Sequence, residues 1–563
     1  MPPAPRPRRN GRLSSRDPGW VALSGAGVAG RGLTADDAQT AAKLSRLKEP
    51  AQVIYLPTDQ SPPLALPPVF ERARQALPDP SRVWLVGGSV RDALLRRDIH
   101  DLDFAVDGDG LALARRVADK LGGAFFPLDE ERGTGRAVLN EDGEQFFLDF
   151  ARLRGDDLNS DLAGRDFTVN AMAVSLAPPE TLIDPMGGQN DLKAKVLRLC
   201  RPDGFTADPV RSLRAVRLAA QLDFRLERAT REAARQAAQL LPRVSAERVR
   251  DEFMKALGGR KPAASLRALE ALGLLQHIVP EAIALKGVTQ SPPHVFDVWQ
   301  HTLAVVDRLE ALLTVLDRVH DVDAASEFAL GYAAARVGRY RRQISDHVEQ
   351  ELSVGRPARS LLFLSALLHD IAKPQTRTVE ADTGRIRFFG HEEEGAKVAR
   401  QKAVALRLAG DEVERVTAAV AHHMRPVLLA QGGASAVTPR ATYRFFKAAG
   451  PAGVDVCLLT LADLLGTRGA ELGQDEWAAR VNTVVTLLEA YFVQPEQIVR
   501  PVPLISGDDV LEVLGVPQGR RVGEVLEAVR EAQAAGEVTS REEALEFAKR
   551  WLNGEEGKQA REA

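Results

Sequence analysis

The sequence predicts an α+β, mostly helical, multidomain protein: a head built on a mixed sheet, then helices to the end of the chain. Three observations predict it. Short β-rich runs ("VWLV", "DLDFAVD", "EQFFLDFAR", "ETLID") are confined to residues 69–198, whereas from about 205 onward apolar residues recur at helical spacing, as in "DPVRSLRAVRLAAQL". Aromatics make up only 5% while Ala, Leu, Val, Arg and Glu abound, which favours helix. A chain of 563 residues is also too long for one core.

The bulk composition narrows the class. Hydrophobic residues at 45% and charged residues at 27% are ordinary for a soluble globular protein. Cys200 and Cys457 lie far apart, which suggests neither a disulfide framework nor a thiolate metal site and fits a reducing cytoplasm. No apolar run approaches the roughly 18 residues of a membrane span, and the N-terminus lacks the apolar core of a secretory signal. A cytoplasmic location without membrane contact is expected. The net charge of -3 averages over local arginine runs at 152–155, 211–217, 243–250 and 338–343, so a polyanion would bind a patch of the surface.

Taken in order, residues 1–68 are rich in Pro, Arg, Gly and Ser, end in "SPPLALPP", and read as a disordered extension. The head spans 69–198, with a helix at "GLALARRVADKLGG" closed by glycines. A helical neck covers 199–287, a histidine-bearing helical domain 288–470 and a helical tail 471–563, where Ser540 is a candidate N-cap with Glu543 three residues on.

The chemistry concentrates first in "VWLVGGSVRDALLRRDIHDLDFAV", residues 83–106. A strand leads into a Gly87-Gly88-Ser89 turn, a short helix and a second strand carrying Asp101 and Asp103. Side chains two apart on a strand share a face, so both carboxylates can hold one pair of cations while Leu102 and Phe104 face the core. The turn offers backbone N–H groups to a triphosphate, and Arg91 adds charge. Asp149, in the apolar strand "FFLDFARLR", is a candidate third carboxylate; its alternative is an ion pair with Arg152 or Arg154.

These motifs, followed in order by "RDFTVNAMAV" (165–174), "IDPMGGQNDL" (183–192), "DPVRSLRAVRLAAQLDF" (208–224) and "ERVRDEF" (247–253), resemble the class II tRNA nucleotidyltransferases and bacterial poly(A) polymerases of the polymerase-β-like superfamily. The resemblance implies that Asp101 and Asp103 hold Mg2+ while a tRNA 3′ end attacks the α-phosphate of CTP or ATP. It implies that Arg165, Asp166 and Asn170 lie at the nucleotide, with Asp166 accepting from a 2′-hydroxyl, and that Asp208 and Arg211 read the base. Cytosine and adenine each present an amine donor beside a ring-nitrogen acceptor, which a carboxylate and a guanidinium three residues apart on one helix face can match. Ala207 departs from the family pattern, which has Glu there.

Of ten histidines, eight fall between His294 and His423. His320 and His347 lie in what reads as an inserted segment near 318–355. His301, His369-Asp370 and Asp463 resemble the H…HD…D pattern of the HD phosphohydrolase superfamily, which implies a divalent-metal site able to activate water. His391 and His422 would complete a second shell or a second ion. The function expected is template-independent addition of the 3′-terminal CCA, or part of it, to tRNA. The alternatives are a poly(A) polymerase, an A-adding enzyme and, from another class, an HD-type phosphohydrolase. No protein partner is implied.

Overall fold

The structure is a computed structural model that describes residues 64–177, 181–319, 325–433 and 437–562, with three strands nearer the N-terminus. Those strands, β1 (Gly19–Ser24), β2 (Gly27–Gly32) and β3 (Gln52–Leu56), form an antiparallel sheet in the order β2-β1-β3. They correct the expectation of disorder over 1–68. The rest of residues 1–63 lies outside the described residues.

The chain forms two compact units, residues 1–204 with 225–230 and residues 205–224 with 231–563. The first contains the head, a seven-stranded sheet in the order β10-β9-β4-β5-β8-β7-β6. Its strands are β4 (Val83–Val86), β5 (Asp101–Val106), β6 (Ala124–Asp129), β7 (Thr134–Glu141), β8 (Glu144–Arg152), β9 (Ala173–Ser175) and β10 (Leu182–Ile183). Helix α1 (Pro68–Ala76) lies before β4, α2 (Gly88–Leu94) between β4 and β5, and α3 (Gly110–Leu121) after β5. Val69, Phe70, Leu85, Leu102, Phe104, Leu113, Val117, Leu148 and Phe150 form one core. Phe104 and Phe150 stack with ring centroids 4.7 Å apart. Because Leu102 and Phe104 point into this core, Asp101 and Asp103 are turned to the opposite face.

The second unit is built mainly of helices: α4 (Val210–Leu222), α5 (Ala246–Gly258), α6 (Val298–Val315), α7 (Ala358–Leu368), α8 (His391–Ala405), α9 (Gly410–His422), α10 (Pro439–Ala449), α11 (Gly453–Arg468), α12 (Arg520–Ala534) and α13 (Arg541–Glu562). Helix α7 is buried at every position from Ser360 to Leu368, as expected for a helix apolar all round. The expectation that strands end near 205 is corrected by short pairs, among them Arg377–Val379 with Ile386–Phe388 immediately before α8. The segment near 318–355 is not an excursion from the core. Its helix Phe328–Val337 accepts a hydrogen bond from Trp477 Nε1 to Ala329 O at 3.0 Å, and His347 is bound to Asp455 at 2.8 Å. His320 lies outside the described residues.

The stretch Pro439–Arg468 meets the length and hydropathy of a membrane span, contrary to the expectation that no apolar run approaches one. It is two helices, α10 and α11, interrupted at Gly450–Ala452, and 78% of its most apolar window is buried within the fold. The tail has its own core of Ile505, Val510, Val525, Val529, Val538, Ala544 and Ala548. Ser540 accepts the Glu543 N–H at 3.2 Å, and the Glu543 carboxylate reaches back to the Thr539 N–H at 2.7 Å.

Candidate functional site

In the head, β4 ends at Val86 and the chain turns through Gly87, whose φ of 76° is a left-handed conformation that favours glycine. A Cβ there would lie 2.9 Å from Arg165 Nη1 and 3.5 Å from Asp103 Oδ2, so the turn, Arg165 and the carboxylate strand meet at one point. Parallel pairing sets Asp103 opposite Asp149, and antiparallel pairing sets Asp149 opposite Arg136. The three side chains form a row across one sheet face.

Arg136 donates Nε and Nη2 to the two Asp149 oxygens, both at 2.7 Å. The ion-pair partner of Asp149 is therefore Arg136 and not Arg152 or Arg154, because the register across β7 outranks nearness in sequence. Asp103 is pushed up to about 6, first by burial and then by the like charge of Asp149 and Asp101, against Arg165 and Arg136. An all-oxygen donor set crowded by its own charge fits a hard divalent cation.

The other residues expected at the nucleotide are tied to one another by hydrogen bonds. The Ser89 hydroxyl accepts the Asp103 N–H at 2.9 Å and donates to Asp101 O at 3.1 Å. Arg91 is buried and donates to Asp92 at 3.0 and 2.6 Å and to Asn170 Oδ1 at 2.7 Å. Asn170 Nδ2 in turn donates to Asp166 Oδ1 at 3.1 Å, and Arg165 donates to Asp161 at 3.0 and 2.9 Å. In the "IDPMGG" motif, Asp184 accepts the Gly188 and Gln189 N–H groups at 2.6 and 2.9 Å, holding a turn.

In the second unit, Asp208 lies just before α4 rather than on it, since Pro209 is that helix's N-cap. The turn still brings Arg211 Nε to 3.7 Å from Asp208 Oδ2. Arg248 of α5, missed in sequence, donates to the same oxygen at 2.8 Å, while Asp208 Oδ1 is buried with no partner among the described residues. One turn further along α5, Glu252 takes Arg214 and Arg217 of α4 at 3.0 and 2.7 Å. The stretch before α4 is thereby held in register with α5 at both points.

The histidine cluster converges. His301 Nε2 lies 3.1 Å from Asp463 Oδ1, 3.4 Å from Asp370 Oδ2 and 3.4 Å from His369 Nε2. On the other side of Asp370, His391 Nε2 lies 3.4 Å from its Oδ1 and 3.3 Å from His423 Nε2. The structure therefore brings in His423 and not His422, because His422 points off the buried face of α9. His369, His391 and His423 each hydrogen-bond through Nδ1 to the carbonyl three residues earlier, Ala366, Phe388 and Val420, at 2.8, 2.8 and 2.7 Å. Nδ1 therefore donates, and in a neutral ring this leaves the lone pair on Nε2. With both rings neutral, the Nε2 lone pairs of His391 and His423 face each other 3.3 Å apart, a conflict that a cation between them removes.

Two ligand groups share Asp370: His301, His369 and Asp370, and Asp370, His391 and His423. Imidazole and carboxylate together suit a transition-metal ion. Burial opposes the charge on His301, yet Asp370 and Asp463 raise its pKa to about 9. His423 is pushed down to about 3 by burial and by His369 and His391. Asp370 is held well below the usual range despite burial, by His369, Lys373 and His301, and Lys373 Nζ lies 2.7 Å from its Oδ2.

Family models match three stretches: the Poly A polymerase head domain at residues 83–198, the probable RNA and SrmB-binding site of polymerase A at 223–285, and the HD domain at 332–466. His301 precedes the last of these, and only the fold carries it to the cluster. The chain is 38% identical over 491 residues to an A-adding tRNA nucleotidyltransferase of Deinococcus radiodurans, covering 86% of this chain and 98% of that one. It is 35% identical over 482 residues to a CC-adding tRNA nucleotidyltransferase of Thermus thermophilus, covering 85% and 95%. A solved Thermotoga maritima CCA-adding enzyme complexed with tRNA matches in fold with a TM-score of 0.51 at 21% identity, covering 87% of this chain and 97% of that one.

Proposed function

The chain belongs to the tRNA nucleotidyltransferase family, and from that premise we propose that its head adds the 3′-terminal CCA, or part of it, to tRNA from CTP and ATP. The observation that carries the proposal is the Asp101–Asp103 face, set against the Gly87 turn and Arg165. Asp101 and Asp103 would hold Mg2+, which when bound lowers the proton affinity of the attacking 3′-hydroxyl and neutralises charge on the triphosphate.

The protein's own residues do the rest. Arg165, beside Gly87, lends positive charge to the triphosphate, and Asp166, braced by Asn170 and Arg91, addresses the ribose. Asp149, paired with Arg136, stands beside Asp103 on the next strand as a like charge that makes this face receptive to a cation. Asp208 and Arg211 read the base edge. With Arg248 occupying Oδ2, Oδ1 is the acceptor left to an exocyclic amine of cytosine or adenine. Uracil and guanine offer a carbonyl there, and two acceptors facing each other cost a few kcal/mol, about tenfold for each 1.4 kcal/mol. The enzyme acts in the cytoplasm, where charged tRNA is made.

A-addition alone is the narrower reading, favoured by the 38% identity to the Deinococcus protein. The deciding experiment supplies tRNA lacking CCA, or ending in CC, with labelled CTP or ATP separately and Mg2+. CTP use followed by ATP supports CCA addition, ATP use on a CC end alone supports A-addition, long adenosine tracts a poly(A) polymerase, and no incorporation overturns the proposal. The helical unit carries a second activity, hydrolysis of phosphoesters at the paired ligand groups around Asp370, supported by the lone-pair geometry of His369, His391 and His423. Phosphate release from a monoester or diester with Mn2+, Co2+ or Ni2+ tests it.

A further inference from the structure

We propose that Ser89 is a positioning residue for the metal-holding carboxylates, a hydroxyl that completes the sheet where β4 has run out, and not a ligand of the triphosphate. The inference rests on the head being the nucleotidyl-transfer site. The ladder between β4 and β5 runs Val83↔Val106, Trp84↔Ala105, Leu85↔Phe104, and ends there. On its other edge β5 is paired to β8 along its whole length, from Asp101↔Phe147 to Val106↔Arg152. Asp101 and Asp103 are thus the part of β5 with a neighbour on one side only. There β4 ends at Val86, which is paired to Ala173 on the strand's other edge, and the chain turns away through Gly87.

Backbone groups of residues two apart on a strand point to the same edge. The edge left open by β4 exposes the C=O of Asp101 and the N–H of Asp103. A hydroxyl is donor and acceptor in one atom, and the Ser89 hydroxyl meets both groups, accepting at 2.9 Å and donating at 3.1 Å. Ser89 is 3% exposed. Both of its hydrogen-bonding roles are filled, so a phosphate oxygen could gain the hydroxyl only by breaking the brace.

The position of Ser89 in the chain gives the brace its use. It is the second residue of α2, directly after the turn, so one side chain fixes the distance between the turn and the backbone under both carboxylates. Asp103 and Asp101 repel each other and Asp149, and a strand with an open edge yields to such repulsion. Anchoring the main chain at 101 and 103 keeps both side chains converging before a cation arrives.

The test compares Ser89→Ala and Ser89→Thr with the parent, every sample also carrying His369→Ala and Asp370→Asn so that the histidine cluster takes no ion. Amide hydrogen exchange of Asp103 should quicken at least tenfold in Ser89→Ala. Mn2+ affinity of the head, read by electron paramagnetic resonance without nucleotide, should weaken about tenfold. In tRNA extension, kcat should fall while KM for the nucleotide stays within twofold, and Ser89→Thr should restore all three.

A raised KM with unchanged Asp103 exchange and Mn2+ affinity would place the hydroxyl on the triphosphate and overturn the inference, as would Ser89→Ala behaving like the parent throughout. Full extension by Asp103→Asn would instead sink the reading of the head, and so the two failures are told apart.

Discussion

The two candidate metal sites of this chain, in the head and in the helical unit, meet the same requirement by opposite means. In the head, carboxylates stand on a sheet face beside a turn, Asp101 is exposed, and the donors are all oxygen. In the helical unit, His301, His369, Asp370 and His423 are no more than 2% exposed, and nitrogen dominates. Like charge keeps the head site under strain until a cation or a proton enters. The histidine site is calmed in advance by a proton on His301 shared with two carboxylates. The comparison teaches that an open oxygen site suits an ion that arrives and leaves with substrate, whereas a closed nitrogen site suits a resident one.

The largest effect that could break this comparison is on turnover. Asp101→Asn or Asp103→Asn should cut tRNA extension by about a thousandfold and leave phosphate release from small esters unchanged. Parallel loss of both activities would show that the sites are not separate. Next, Asp370→Asn should strip bound transition metal from the purified protein, measured by elemental analysis, because both ligand groups use that residue. Retention of a full complement of ions would contradict the shared-ligand geometry. A smaller change is expected at the base-reading pair. Arg248→Ala frees Asp208 to turn, so discrimination against UTP and GTP should drop about tenfold, measured as ratios of kcat/KM, with Arg248→Lys intermediate.

The smallest effect sharpens the electrostatic half of the comparison. The folded-state pKa of Asp103, about 6, lies above its ordinary 3.8. Its contribution to stability is therefore fully present below 3.8 and lost as pH rises through about 6. At pH 7.5 the metal-free head holds an ionised, crowded carboxylate that Mg2+ relieves, whereas at pH 5 a proton has largely done so. Mg2+ should thus raise the melting temperature by a few degrees at pH 7.5, much less at pH 5, and not at all in Asp103→Asn. An equal rise at both values would remove Asp103 as the cause.

Much of the head was legible because its signals are local: a glycine turn, a D-x-D on alternate strand positions, and a core face set by Leu102 and Phe104. What escaped depends on which strand or helix lies alongside. Arg136 meets Asp149 through register across β7 and β8, and Arg248 meets Asp208 through the packing of α5, neither of which a linear pattern states. The place of Ser89 in the turn is visible in the sequence, whereas the end of β4, where its hydroxyl meets the backbone of 101 and 103, is not. The choice between His422 and His423 was readable after all. Val413, Val416, Ala419 and Val420 mark the buried face of α9, and position 423 continues that spacing where 422 does not.

The repeated link from a ring nitrogen to the carbonyl three residues earlier has one more outcome. Each imidazole at 369, 391 and 423 is tethered to the main chain of its own turn, so the width of the socket is a dimension of the polypeptide path and not of freely swivelling rings. An ion of unsuitable radius would have to bend helices to be embraced. Any ion these rings hold would thus meet a socket whose width the backbone sets.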